Sequence, residues 1–79
     1  MTSESLKTFI ASQFGLRRPL QDDTPIFSQG LLDSFSMIEL ISHLEAEAGI
    51  RVRPMEVTLE NLDSIEKILR FVARKQSAS

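Results

Sequence analysis

Gly30-Leu31-Leu32-Asp33-Ser34-Phe35-Ser36-Met37-Ile38-Glu39-Leu40-Ile41-Ser42-His43-Leu44-Glu45-Ala46-Glu47-Ala48-Gly49 is the stretch from which the rest of the chain is read. Set Ser34 at zero and turn about 100° per residue; Met37, Leu40, Ile41, Leu44 and Ala48 then fall within a sector of about 100°, the width of one buried stripe. The spacing predicts a helix from Ser34 to Ala48 that Gly49 ends. Phe35 and Ile38 fall outside that stripe, on a flank shared with Glu39, Ser42, Glu45 and Ala46. They either extend the core beneath the preceding loop or stand exposed beside carboxylates as a docking surface, since exposed apolar patches mark contacts.

Upstream, Leu6, Phe9, Ile10 and Phe14 recur at helical spacing and predict a helix over roughly 3–14, with Ser3 as its cap, Glu4 in its first turn and Gly15 as its stop. Residues 15–32 hold Pro19, Pro25, Gly30 and the polar run Gln21-Asp22-Asp23-Thr24, and no period persists there. This is a long first loop for so small a chain, and long ordered loops usually serve function. Its apolar residues Leu20, Ile26, Phe27, Leu31 and Leu32 are expected to pin it to the helices. Downstream, Ile50 to Pro54 is expected to be extended, because the residue before a proline disfavours helix. Residues 55–61 allow one short helical turn. Asp63-Ser64-Ile65-Glu66 has the form of a capping box. Ile65, Ile68, Leu69 and Val72 then form the apolar stripe of a last helix, with Arg70, Arg74 and Lys75 towards its negative end. The expectation is an all-α chain: a small antiparallel four-helix bundle of three main helices and one short one, as a single domain over 1–79 with residues 76–79 a frayed tail.

Composition narrows the chemistry. The chain has 79 residues, no cysteine and one histidine, which excludes disulfides, thiolate metal sites and histidine-rich metal sites. A net charge of −2 and the absence of tryptophan and tyrosine argue against nucleic acid as a partner. The start lacks a basic-then-apolar leader and no apolar run reaches membrane-spanning length, so a cytoplasmic protein without membrane insertion is expected.

Ser34 follows Asp33 at a helix start, where either residue serves as an ordinary cap. A nucleophilic serine needs a base within hydrogen-bond reach. His43 lies about 13 Å further along the same helix and points to the opposite side, so it cannot serve; it is expected to be a solvated surface residue. No other catalytic constellation is present, and no enzymatic activity of the chain's own is expected. A helix start is, however, well placed to hold a phosphate, through free amides and the positive end of the dipole.

Gly30-Leu31-Leu32-Asp33-Ser34-Phe35, followed by Ile38-Glu39-Leu40, resembles the phosphopantetheine attachment motif of acyl carrier proteins and peptidyl carrier domains, and the layout of helices and loop resembles theirs over nearly the whole chain. The resemblance implies that Ser34 carries a covalent 4′-phosphopantetheine arm derived from coenzyme A, and that Asp33 lies near the metal of the modifying transferase. It further implies that Phe35, Ile38, Glu39, Ser42 and Glu45 form the partner face. The implied partners are a phosphopantetheinyl transferase, an adenylating or acyl-transferring loading enzyme and a downstream acyl-acceptor enzyme, with the carrier itself a monomer. Phe35 stands where the family usually has leucine, and the chain is only mildly acidic, with Arg51 and Arg53 after the second helix. The mild acidity points away from the densely acidic carriers of fatty-acid synthesis. It points towards a dedicated biosynthetic or aminoacyl-transfer pathway, as in carriers similar to the D-alanyl carrier proteins. The alternative is an unmodified helical interaction module of the same fold.

Overall fold

The computed structural model describes residues 1–16 and 19–77. Four helices follow in order: α1 (Ser3–Phe14), α2 (Ser34–Ala48), α3 (Leu59–Leu62) and α4 (Ile65–Ser77), with a 3₁₀ turn at Pro54–Glu56 between α2 and α3. No strand occurs among the described residues, and no helix among them is long and apolar enough to cross a membrane. The expected small helical bundle is therefore the fold. The single short turn expected over 55–61 is divided between the 3₁₀ turn and α3.

The boundaries of α1 and α2 fall where the periodicity puts them. Gly49 closes α2 in the left-handed conformation, φ 66°, its amide donating to the Glu45 carbonyl. The cap of α1 lies one residue earlier than expected. Thr2 Oγ1 accepts from the Ser5 amide while Ser5 Oγ accepts from the Thr2 amide, a reciprocal box that leaves Ser3 inside the helix. Ser3 instead donates to Asp22 Oδ1 at 2.7 Å, and Lys7 Nζ reaches the same oxygen at 2.8 Å. Lys7 first, then Ser3, holds the Asp22 carboxyl below its ordinary range.

α4 is the hub and packs against each of the other three helices. Its buried residues are Ile65, Ile68, Phe71 and Val72; they meet Leu6 and Ile10 from α1, Leu40 and Leu44 from α2, and Leu62 from α3. Phe71 thus takes the place in the stripe expected of Leu69, which is only partly buried against the core. Deleting a side chain as buried as Leu40 or Ile68 costs about 2–5 kcal/mol, a large part of the roughly 4–12 kcal/mol expected of a domain this size. α4 also runs on to Ser77, and Gln76 Nε2 donates to the Ala48 carbonyl at 3.1 Å. The tail expected at 76–79 is therefore helical in its first two residues, and residues 78–79 lie outside the described set.

The predicted Asp63–Glu66 box does not form. Ser64 caps α4, its Oγ accepting from the Lys67 amide at 3.2 Å. Asp63 is drawn off by a stronger demand: Phe27 N–H (2.7 Å), Ser28 N–H (2.9 Å) and Ser28 Oγ–H (2.7 Å) all donate to its carboxylate. The Ile26 amide donates to the Asp63 carbonyl at 2.7 Å. Glu66, freed from capping, pairs with Arg70 one turn on. At the far end of α4, Lys75 Nζ meets both Glu56 oxygens at 2.9 and 3.1 Å, fixing the 3₁₀ turn.

Candidate functional site

Three anchors set the position of Ser34. Leu40 and Leu44, both fully buried, seat α2 on the core. Leu32, two residues before Ser34, is buried, and its amide donates to the Ile26 carbonyl at 3.0 Å. Between them, Gly30 turns the chain at φ 77° and bonds back to the Phe27 carbonyl at 3.0 Å. A side chain at that φ would be strained by about 1–2 kcal/mol. The Asp63 carboxylate clamps Phe27 and Ser28 at the base of this turn. The long loop is thus tied at both sides of Ile26 to the start of α4. Leu20, Ile26 and Leu32 are the buried pins and Phe27 packs against them, whereas Leu31, expected among them, is 43% exposed.

Asp63 sits at 7% exposure. Burial pushes its carboxyl up, but the hydrogen bonds from Ser28 and Phe27 outweigh that and hold it below the ordinary carboxylate range. Charge-assisted bonds of this kind are shorter and stronger than neutral ones.

Asp33 is the cap of α2. Its backbone is extended, φ −106°, and Oδ1 accepts from the Ser36 amide at 2.9 Å. That amide first, then the Ser36 hydroxyl, keeps the Asp33 carboxyl ionised to lower pH than usual. Because Asp33 takes the capping role, Ser34 becomes the first residue of the helix proper. Its side chain is exposed and no described residue bonds to it. Ser3, Ser5, Ser28 and Ser64 are committed to Asp22, Thr2, Asp63 and the Lys67 amide, whereas Ser12 and Ser42 are exposed like Ser34 but lie in the body of a helix and not at its start. What sets Ser34 apart is its place: a free hydroxyl at the positive end of a helix of 15 residues. No cluster of three or more histidine, cysteine or acidic residues able to hold a metal occurs among the described residues.

The flank beyond Ser34 lies outside the core. Phe35 is 69% and Ile38 65% exposed, so neither extends the core beneath the loop. Ser42 and Ala46 are exposed beside them. Glu39 is half-buried and its Oε2 accepts from Gln13 Nε2 of α1 at 3.0 Å. Glu45 turns to the chain that follows α2, where its Oε2 accepts from the Val52 amide at 2.9 Å. His43 is not the solvated residue expected: its ring stacks on Phe9, with centroids 3.6 Å apart and planes 8° from parallel. Sequence reasoning also missed Met55 and Leu59, exposed apolar residues of the 3₁₀ turn and α3; each lies outside any long period, so no pattern distinguished it from a core residue.

The family model described as "Phosphopantetheine attachment site" matches residues 4–72. The chain is 30% identical over 56 residues to the D-alanyl carrier protein of Abiotrophia defectiva, covering 71% of each chain. It is 26% identical over 76 residues to the probable acyl carrier protein PigG of a Serratia species, covering 94% of this chain and 87% of that one. It is also 42% identical over 55 residues to a mycocerosic acid synthase-like polyketide synthase of Mycolicibacterium smegmatis, covering 67% of this chain and only 3% of the synthase.

Proposed function

Because the chain belongs to the phosphopantetheine attachment-site family, we propose that Ser34 is the residue through which it holds its arm. The protein is a carrier whose cofactor is 4′-phosphopantetheine. When bound, the group supplies a terminal thiol that carries an acyl substrate as a thioester. The observation that carries the choice of residue is the free, exposed Ser34 hydroxyl on the first turn of α2, next to the Asp33 cap.

The residues fit the group. In the attachment step the Ser34 Oγ–phosphorus bond forms and the pyrophosphate bond of coenzyme A breaks. Adenosine 3′,5′-bisphosphate departs, and the hydroxyl proton passes to a base of the transferase. On this chain, the positive end of the α2 dipole favours the phosphodiester that results, while the Ser36 amide stays with the Asp33 cap. Asp33, held ionised by Ser36, would offer a carboxylate to a Mg²⁺ brought by the transferase. The surface of an exposed helix start admits the transferase without any rearrangement of the core.

Partner enzymes recognise the flank of α2, through Phe35 and Ile38 with Glu39 and Ser42; Glu45 stands at its lower edge with one oxygen held by Val52. Chemistry on the cargo belongs to those partners: the transferase, a loading enzyme that adenylates or transfers the acyl group, and an acceptor enzyme. Two relatives are named for D-alanyl and acyl carriage. With the net charge of only −2, they favour a dedicated aminoacyl-transfer or biosynthetic pathway.

The test is intact mass after incubation with coenzyme A, Mg²⁺ and a promiscuous phosphopantetheinyl transferase. One phosphopantetheine mass is gained by the parent protein and none by Ser34→Ala. No gain in the parent would leave an unmodified interaction module; a gain in Ser34→Ala would move the site to another hydroxyl.

A further inference from the structure

We propose that the far end of α2, where the chain leaves the helix past Gly49, is a docking site for an acidic segment of a protein partner, seated by Arg51 and Arg53. The stretch after Gly49 is an extended strap: Ile50 is buried and Val52 half-buried, while Arg51 and Arg53 are exposed. Alternate side chains of an extended chain leave on the same side, about 7 Å apart, so the two arginines share one side of the strap. Glu45 Oε2 fixes the strap to α2 through the Val52 amide at 2.9 Å. An open recess of about 510 Å³ lies here, and its walls include Ala48, Ile50, Arg51, Arg53, Lys75 and Gln76. Gln76 joins α4 to the end of α2 at this point through the Ala48 carbonyl.

The charges select the occupant. Among the described residues, no aspartate or glutamate lines the recess. Lys75 is engaged by Glu56 and lies in the last turn of α4, where a cation offsets the helix dipole. That role does not extend to Arg51 and Arg53, which stand two and four residues past the Gly49 cap. Neither guanidinium forms an ion pair with a described residue. Glu56 shows how these surroundings treat a carboxylate. The Arg53 amide donates to its Oε1 at 2.8 Å and Lys75 meets both its oxygens; these, with the charge of Arg53, hold the carboxyl below its ordinary range. Carboxylates on one side of an extended acidic segment repeat at the same spacing of about 7 Å. Each can meet one guanidinium as a bidentate pair, with its methylenes over Ala48 and Ile50. A lone phosphate is a single centre facing two arginines spread along a strand, and it leaves most of the recess unfilled. The recess lies about 21 Å from Ser34, 14 residues along α2 at 1.5 Å each. A partner held there leaves the Ser34 end of the helix open, and its binding depends neither on Ser34 nor on an arm.

The experiment is a two-dimensional NMR titration of the ¹⁵N-labelled full chain at neutral pH and low salt with acetyl-tetraglutamate amide. Acetyl-tetraglutamine amide, of the same shape but uncharged, and inorganic phosphate are the controls. Saturable shifts are expected at the amides of Gly49, Arg51, Arg53 and Lys75 with the glutamate peptide alone, and added salt is expected to weaken them. Arg51→Gln and Arg53→Gln are each expected to weaken binding about two- to fivefold, the effect of one surface ion pair. Both are expected to melt with the parent, and either variant serves if the other disturbs the fold. Arg70→Gln makes the same charge change at an exposed residue of α4 outside the recess and is expected to leave binding unchanged. Absence of saturable shifts at these residues, equal binding of the glutamine peptide, or equal weakening by Arg70→Gln overturns the proposal. Tighter binding of phosphate than of the peptide makes the recess a small-anion site and overturns the acidic segment as its occupant. Peptide binding without phosphopantetheine transfer removes the attachment site and keeps the recess, and the converse result removes the recess alone.

Discussion

Removing the Asp63 carboxylate is expected to loosen the loop that presents Ser34 more than any surface change. Asp63→Ala leaves the Phe27 and Ser28 amides and the Ser28 hydroxyl without their acceptor. Hydrogen bonds to a charged group contribute about 1.5–3 kcal/mol each, and a buried donor left unpaired costs about 1–3 kcal/mol. Ser28 is exposed, so water replaces part of the loss there. A total near 3 kcal/mol follows, which for a domain of this size lowers Tm by about 12–24 °C. Asp63→Asn keeps an oxygen for the two amides, and the Ser28 hydroxyl can turn to accept from the new amide group, so its cost is nearer 1 kcal/mol. The carboxyl is held below its ordinary range in the fold. Its contribution is therefore fully present above the unfolded value, about 3.9, and is lost as pH falls through the lower folded value. The stability difference between the parent and Asp63→Asn must narrow as pH drops below about 4. Asp22, Asp33 and Glu56 are likewise lowered, but they are common to both proteins and cancel in the difference. Thermal or urea unfolding across pH measures it. A loss under about 1 kcal/mol for Asp63→Ala, or a difference that does not change with pH, would refute the clamp.

Gly30→Ala meets no atom within 4 Å and carries only the strain of φ 77°, so it is expected to cost about 1–2 kcal/mol and to slow phosphopantetheine transfer; unchanged melting would mean that the turn relaxes freely. Phe35→Ala and Ile38→Ala remove exposed side chains, and each is expected to stay within about 0.5 kcal/mol of the parent while raising KM in the loading reaction. An unfolded Ile38→Ala would return that residue to the core and dissolve the docking face.

How much was legible in the sequence differs from element to element. α1, α2 and the stripe of α4 repeat an apolar side chain each turn, and a local period needs no distant partner to be read; Gly15 and Gly49 punctuate it. The proposed attachment motif is local in the same sense, since Asp33 directly precedes Ser34 and the flank follows on the same helix. The caps were not legible because Thr2 and Ser3, or Asp63 and Ser64, are chemically similar candidates, and distant partners decide between them: Asp22 for Ser3, and the Phe27 and Ser28 donors for Asp63.

The sequence alone thus determined a helical carrier with a serine at the start of its second helix, because period, helix ends and motif are all short-range. Only the tertiary structure decided how that serine is presented. Asp63 leaves its own helix to hold amides 35 and 36 residues away. Leu31 faces solvent while Leu32 is buried. His43 closes on Phe9 across the α1–α2 seam. Each outcome is settled by which groups meet across the core, and adjacency along the chain carries no record of that.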